Sequence, residues 1–219
     1  MTPNGIVIIP PQRTKAPPIV VRRIAGHLAK DRLTVLPTET RYALCAVATS
    51  RRALEEVRRV KGRSESQPFS IFIDSISRLA EWKIHTTPAA ERLLQAFWPG
   101  PLTLILPTTN PIFRWLGTIE SVGVRFSPQT LISQTVAKLG APLVATSANP
   151  SGVVLDNRAE NRWLTELAAR GQVLWARPNR YHRRPVSTVV DCTGRRIRIL
   201  RPGGIPESQL RTALGRLTS

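Results

Sequence analysis

Apolar residues in this chain come in short runs whose period changes along the sequence, and each change marks an element boundary. "GIVIIP" reads as a strand, and "PIVVRRIAGHLAKD" then sets Ile19, Val20, Ile24 and Leu28 on roughly one helical face. "RLTVLPTET" is apolar and β-branched up to Pro37, where the strand gives way to a polar loop before "YALCAVATS" resumes a buried strand. From Arg51 to Lys61, Ala53, Leu54, Val57 and Val60 recur at helical spacing among charged residues, which predicts an amphipathic helix capped by Ser50. "PFSIFI" is strand-like, Asp74 is expected to cap a short helix running through Trp82, and Thr87-Pro88 to start another that turns Leu93, Leu94 and Phe97 inward before "WPGP" forces a turn.

"LTLIL", "VGVRF", "PLVATS", "QVLWA", "STVVD" and "RIRIL" are further strand candidates, with a helix start at Ser127-Pro128 and a stop at Gly140 between the second and third. This alternation predicts an α/β fold, a twisted mixed β-sheet flanked by helices, with functional residues at strand ends and connecting loops. No internal repeat is evident, and 219 residues without a long polar break read as a single domain over 1–219.

Composition narrows the picture. Hydrophobic residues make up 42% of the chain but never run to the ~18 or more that a membrane-spanning helix needs, so neither a membrane span nor disorder is expected. Thirty-two basic residues face fourteen acidic ones, giving +18, a field that favours a nucleotide or polyanion partner; a generally basic surface is the plainer alternative, since Arg far outnumbers Lys. Cys45 and Cys192 lie far apart with no Cys/His ligand spacing, which points away from zinc and disulfides and towards a reducing, cytoplasmic setting. The early cations Arg13, Lys15, Arg22 and Arg23 faintly resemble a transit peptide, but Pro10, Pro11, Pro17 and Pro18 interrupt any amphipathic helix there, and the segment is read as part of the mature chain.

Three short stretches carry candidate chemistry. "PTETRYAL" places Thr38, Glu39, Thr40, Arg41 and Tyr42 in one loop whose hydroxyls either bind a small polar ligand or stabilise their own turn. "VKGR" lets the Lys61 ammonium and Arg63 guanidinium converge on phosphate, or simply ends a helix with solvated cations. "VATSANPSG" ends a buried strand in Ser147, Asn149, Ser151 and Gly152, hydroxyl, amide and backbone donors suited to phosphate or ribose; a purely structural strand exit is the alternative.

Taken in order, "PTETRYAL", "VKGR" with "QPFSIFI", "WPGPLTLIL", "VGVRF", "VATSANPSG" and "VSTVVD" with "ILRPGG" resemble the Sua5/YciO/YrdC family, the threonylcarbamoyl-AMP synthases, from about Ile19 onward. The resemblance implies a YrdC-like fold with a concave basic surface and an active-site tetrad at Lys61, Arg63, Ser147 and Asn149, which also serves the nucleotide together with Arg201. Thr38, Thr40 and Tyr42, with Arg125 and Ser187, are implied as the threonine pocket. The implied reaction joins L-threonine, bicarbonate and ATP to give threonylcarbamoyl-AMP and pyrophosphate, with Mg²⁺ on the phosphates rather than on a dedicated protein site. The implied partners are tRNA or double-stranded RNA at the basic surface and the downstream tRNA threonylcarbamoyl transferase machinery, and the chain reads as the short form of the family.

The chain departs from the family pattern in three places. Ala43 stands where the family usually has glycine, the proline usual after the Arg125 motif is displaced to Pro128, and "ARPNRYHRRP" replaces a segment often containing glycine and acidic residues. Two other functions stay open. One is a non-catalytic RNA binder using Arg177, Arg180, Arg183, Arg184, Arg195, Arg196, Arg198 and Arg201 with Tyr181 and His182; the other is a relative acting on a different small-molecule amine.

Overall fold

Ten strands join into one mixed sheet in the computed structural model, which describes residues 5–9, 15–117, 120–178 and 184–215. In chain order they are β1 (Ile6–Ile9), β2 (Leu33–Leu36), β3 (Ala43–Cys45), β4 (Ser70–Ile73), β5 (Leu102–Pro107), β6 (Ser121–Phe126), β7 (Leu143–Ser147), β8 (Val173–Pro178), β9 (Thr188–Asp191) and β10 (Arg198–Arg201). Across the sheet they run β1-β8-β2-β3-β7-β4-β6-β5-β9-β10. The pairs β1/β8, β2/β8, β4/β6 and β5/β9 are parallel and the remaining pairs antiparallel, so the expected twisted mixed sheet flanked by helices is what forms.

Among the described residues seven α-helices cover the sheet: α1 (Pro18–Leu28), α2 (Arg51–Lys61), α3 (Arg78–Glu81), α4 (Pro88–Phe97), α5 (Thr130–Leu139), α6 (Asn157–Ala169) and α7 (Glu207–Leu214). Because successive side chains of a strand point to opposite faces, Ile71 and Ile73 of β4 enter one core cluster while Phe72 between them enters the other. Ile24 and Leu28 of α1 and Leu131, Ile132 and Val136 of α5 fill the Phe72 side; apolar residues of α2, α4, α6 and α7 fill the opposite side. No helix among the described residues is long and apolar enough to cross a membrane.

Local chemistry explains where the expected elements shift. Asp74 does not cap a helix: its carboxylate accepts from Arg78 Nε at 3.0 Å, and the short helix begins only after Ser77. The helix expected at Ser127-Pro128 starts instead at Thr130, because the Ser127 hydroxyl accepts from Gln129 N at 3.2 Å and donates to Glu39. The strand expected over "YALCAVATS" pairs as a strand only over Ala43–Cys45, and Val47 adds an isolated bridge to Leu143. The pattern gives no sign of α6 or of a 3₁₀ turn over Pro111–Leu116; their caps are Asp156, which accepts from Ala159 N at 2.7 Å, and Asn110, which accepts from Ile112 N at 3.1 Å. Residues 179–183, which include Arg180, Tyr181, His182 and Arg183, lie outside the described residues.

One consequence of the topology matters most for function. β3 pairs with both β2 and β7, which sets Ala43 opposite Ser147 and brings the polar loop after β2 against the end of β7, more than a hundred residues away in sequence.

Candidate functional site

Pro37 ends β2, and the loop to β3 is held by its own hydroxyl groups. Thr38 Oγ1 accepts from the backbone N–H of Thr40 at 3.0 Å and of Arg41 at 3.1 Å and donates to Arg41 O at 2.6 Å. The self-stabilised turn and the ligand-facing loop are therefore the same structure, since Thr38, Thr40, Arg41 and Tyr42 all face one cavity. Ala43, at the family's usual glycine position, lies in extended β3, and its φ is not among the positive ones.

On the second side, α2 stops at Gly62, whose φ of 62° supplies the left-handed cap that turns the chain back through Arg63. Arg63 donates to Pro68 O at 2.6 Å and stacks with its guanidinium carbon 4.8 Å from the centre of the Phe69 ring, while Arg58 takes the same ring at 4.7 Å. Lys61 is 3% exposed and not among the lining residues; its Nζ donates to the carbonyls of Ser147 at 2.5 Å and Asn149 at 2.6 Å. The Lys61 carbonyl accepts from Ser151 N at 2.7 Å, so one residue clasps the strand exit from both ends. Burial, reinforced by the neighbouring Arg63 charge, brings the Lys61 pKa down to about 7. Ser147 lines the cavity, whereas the Asn149 side-chain amide donates to Val153 O at 2.5 Å and Pro150 O at 3.0 Å within its own loop.

The third side comes from β5, β6, β9 and β10. Arg125 Nη2 donates to Glu39 Oε1 at 2.6 Å and Thr40 Oγ1 at 2.9 Å, and the other Glu39 oxygen accepts from Ser127 at 2.6 Å. Ser187 Oγ lies 3.0 Å from Thr103 Oγ1, and Arg201 donates to the Ser187 carbonyl and hydroxyl, both at 2.9 Å. Burial lowers the pKa of Arg201, with Arg125 and Arg41 adding like-charge repulsion.

Gly203, in the "RPGG" stretch, allows this wall to close: a Cβ there would lie 2.3 Å from Val186 O and 2.5 Å from Thr188 N. Gly203→Ala is accordingly expected to lose about 1–3 kcal/mol in chemical denaturation and to move Ser187; an unchanged midpoint would show that the wall has slack.

The cavity enclosed by these three sides has a volume of about 280 Å³, and its described lining includes Arg41, Arg63, Arg125 and Arg201 but no carboxylate. Of the residues singled out from sequence, it brings together Thr38, Thr40, Tyr42, Arg63, Arg125, Ser147, Ser187 and Arg201, while Lys61 and Asn149 act on the loop behind it. Thr103 and Thr146 are added by the fold, and Arg41, named from sequence as part of the loop but given no role there, also lines it. Thr103 and Thr146 sit inside apolar strands, where a lone threonine gives no sign that its face borders a ligand space. Such a concentration of donors and cations can hold an anion, or two anionic groups at once.

Comparison with known proteins agrees with that chemistry. The sequence pattern of the Sua5/YciO/YrdC family, described as "Telomere recombination", matches residues 27–203. A threonylcarbamoyl-AMP synthase from Pyrococcus abyssi is 31% identical over 199 residues, covering 90% of this chain and 58% of the relative. A Mycobacterium leprae relative, 31% identical over 211 residues, is matched over 94% of this chain and 91% of its own length. The crystal structure of P. abyssi Sua5 complexed with L-threonine superposes with a TM-score of 0.81 at 28% identity, covering 96% of this chain and 61% of that one. The chain thus spans less than three fifths of the P. abyssi relative's length.

Proposed function

Because the chain belongs to the Sua5/YciO/YrdC family, we propose that it is an L-threonylcarbamoyladenylate synthase, making threonylcarbamoyl-AMP and pyrophosphate from L-threonine, bicarbonate and ATP for tRNA threonylcarbamoyladenosine modification. The observation that carries the proposal is the cavity of about 280 Å³ lined, among the described residues, by four guanidinium groups and no carboxylate, because the reaction assembles a carboxylate, a carbamate and a triphosphate in one place. The threonine ammonium loses a proton and the resulting amine condenses with bicarbonate, releasing water, and a carbamate oxygen then attacks the α-phosphorus as the bond to pyrophosphate breaks. No protein nucleophile is required; positioning and charge neutralisation do the catalysis.

In this reading Thr38, Thr40, Tyr42, Arg125 and Ser187 hold threonine, Arg63, Ser147 and Arg201 the nucleotide, and Lys61 and Asn149 fix the loop that carries Ser147. Among the described residues no group of three or more His, Cys, Asp or Glu side chains could hold a metal, so Mg²⁺ belongs to the proposal only as an ion carried by ATP, and no step is routed through it. One domain, a cytoplasmic setting and handover of the product to a tRNA-modifying transferase complete the proposal; the free, buried Cys45 and Cys192 support the setting. A direct RNA contact is supported by Arg195 and Arg196, both exposed in the β9–β10 turn.

The test is to incubate purified protein with ATP, Mg²⁺, bicarbonate and labelled L-threonine. Pyrophosphate release that requires threonine, with a labelled adenylate, is expected. Salt-sensitive RNA binding without turnover, or turnover that requires a different amine, would overturn the assignment.

A further inference from the structure

The four cavity guanidiniums are not equivalent once their hydrogen bonds are followed. Arg125 is matched by the Glu39 carboxylate at 2.6 Å. Arg63 is spent on the carbonyl of Pro68 and the face of Phe69, and Arg201 on the carbonyl and hydroxyl of Ser187. Arg41 differs from these: among the described residues its side chain makes no hydrogen bond, and its Nε is shut off from solvent with no acceptor. A guanidinium carries five donors and cannot shed its charge, so one held at a cavity wall without an acceptor is arranged for an acceptor that arrives with a ligand.

Charge then identifies the ligand's class. Arg41 and Arg201 are near enough to repel each other, and neither has a carboxylate partner among the described residues. One carboxylate would offset a single charge of this pair; a polyphosphate, with two or more negative charges and several acceptor oxygens, offsets both. From the unpartnered Arg41 side chain, which faces the same cavity as Arg201 from the β2–β3 loop, we infer that Arg41 binds the polyphosphate tail of the nucleotide and remains on the departing pyrophosphate. The inference rests on the synthase reading for the identity of the nucleotide, but nothing about the Thr40–Tyr42 spacing itself requires an arginine between them. Arg41 is a determinant of triphosphate preference that the fold supplies at the tip of its hydroxyl-rich turn.

Isothermal titration of pyrophosphate, AMP and L-threonine into the unaltered protein, Arg41→Ala and Arg41→Lys tests this, with melting temperatures recorded for each. Arg41→Ala should weaken pyrophosphate about 10- to 100-fold, and Arg41→Lys, which keeps the charge without the fork, by less, while AMP and threonine stay within about twofold. Should Arg41→Ala not fold, the Lys variant still decides, because a pyrophosphate affinity equal to that of the unaltered protein would count against a forked contact. Equal pyrophosphate affinity in all three proteins, no pyrophosphate binding to the unaltered protein, or a parallel loss of threonine affinity overturns the inference. Failure of the synthase reading is separately visible as absent threonine-dependent turnover in the unaltered protein, whatever the titrations give.

Discussion

Glu39→Ala is expected to destabilise the protein by about 3–5 kcal/mol in chemical denaturation, the typical result of removing one partner from a buried ion pair. The Arg125 and Glu39 side chains are 9% and 11% exposed, and their contact at 2.6 Å is supported by Thr40 on one side and Ser127 on the other. Without the carboxylate, Arg125 would keep its charge in a low-dielectric wall beside Arg201, with its Nε already lacking a partner. Ser127 would lose its acceptor as well. Glu39→Gln preserves an acceptor oxygen and should cost less than the alanine variant. The double variant Glu39→Leu/Arg125→Met removes both charges together and should recover most of the stability, although not threonine binding. A loss below about 1 kcal/mol for Glu39→Ala would mean that water screens the pair and that the wall is looser than its geometry implies.

Glu39 also shows where the sequence stops being informative. Its place in a hydroxyl-rich loop after a buried strand is plain from "PTETRYAL", but its partners Arg125 and Ser127 are set by the sheet order, which lays β6 two strands from β7 and only indirectly beside the loop. Where both ends of an element are written locally, the pattern is sufficient. The α2 boundaries follow from Ser50, which accepts from Ala53 N at 3.2 Å, and from Gly62 at φ 62°. The start at Thr87-Pro88 is equally local, with the Thr87 hydroxyl accepting from Ala90 N at 3.2 Å.

Where a polar side chain has a choice of partners, the local pattern misleads. Asp74 could cap a helix but finds Arg78 four residues on, and Ser127 could open one but finds Glu39. The candidate site divides along the same line. The residue types and their order are legible, and the convergence of two distant loops is the natural outcome of β3 pairing with β7. That Lys61 faces backbone carbonyls while Arg41 faces the cavity is decided by packing, which no spacing rule encodes.

Lys61→Met should reduce the proposed threonine-dependent turnover by at least about 100-fold even though Lys61 does not line the cavity, because misplacing a positioning loop by about an ångström is enough for such a loss. The lysine stem fits a buried space that methionine can fill, so the protein should remain folded while the carbonyls of Ser147 and Asn149 lose their shared donor. The pH dependence of stability distinguishes this role from simple packing. Burial, with help from Arg63, brings the Lys61 pKa from 10.5 to about 7, so between those values the folded protein binds fewer protons at this site than the unfolded chain. Stability contributed by this site therefore rises as pH increases through that window and is lost as pH falls towards 7. A neutral amine can still donate to both carbonyls, so the clasp persists above the folded pKa. The advantage of the unaltered protein over Lys61→Met should accordingly be larger at pH 9 than at pH 6. A difference that is flat across this range, or one that shrinks with rising pH, would mean that the ammonium reaches solvent or a bound anion and does not serve as the buried pin of the Ser147 loop.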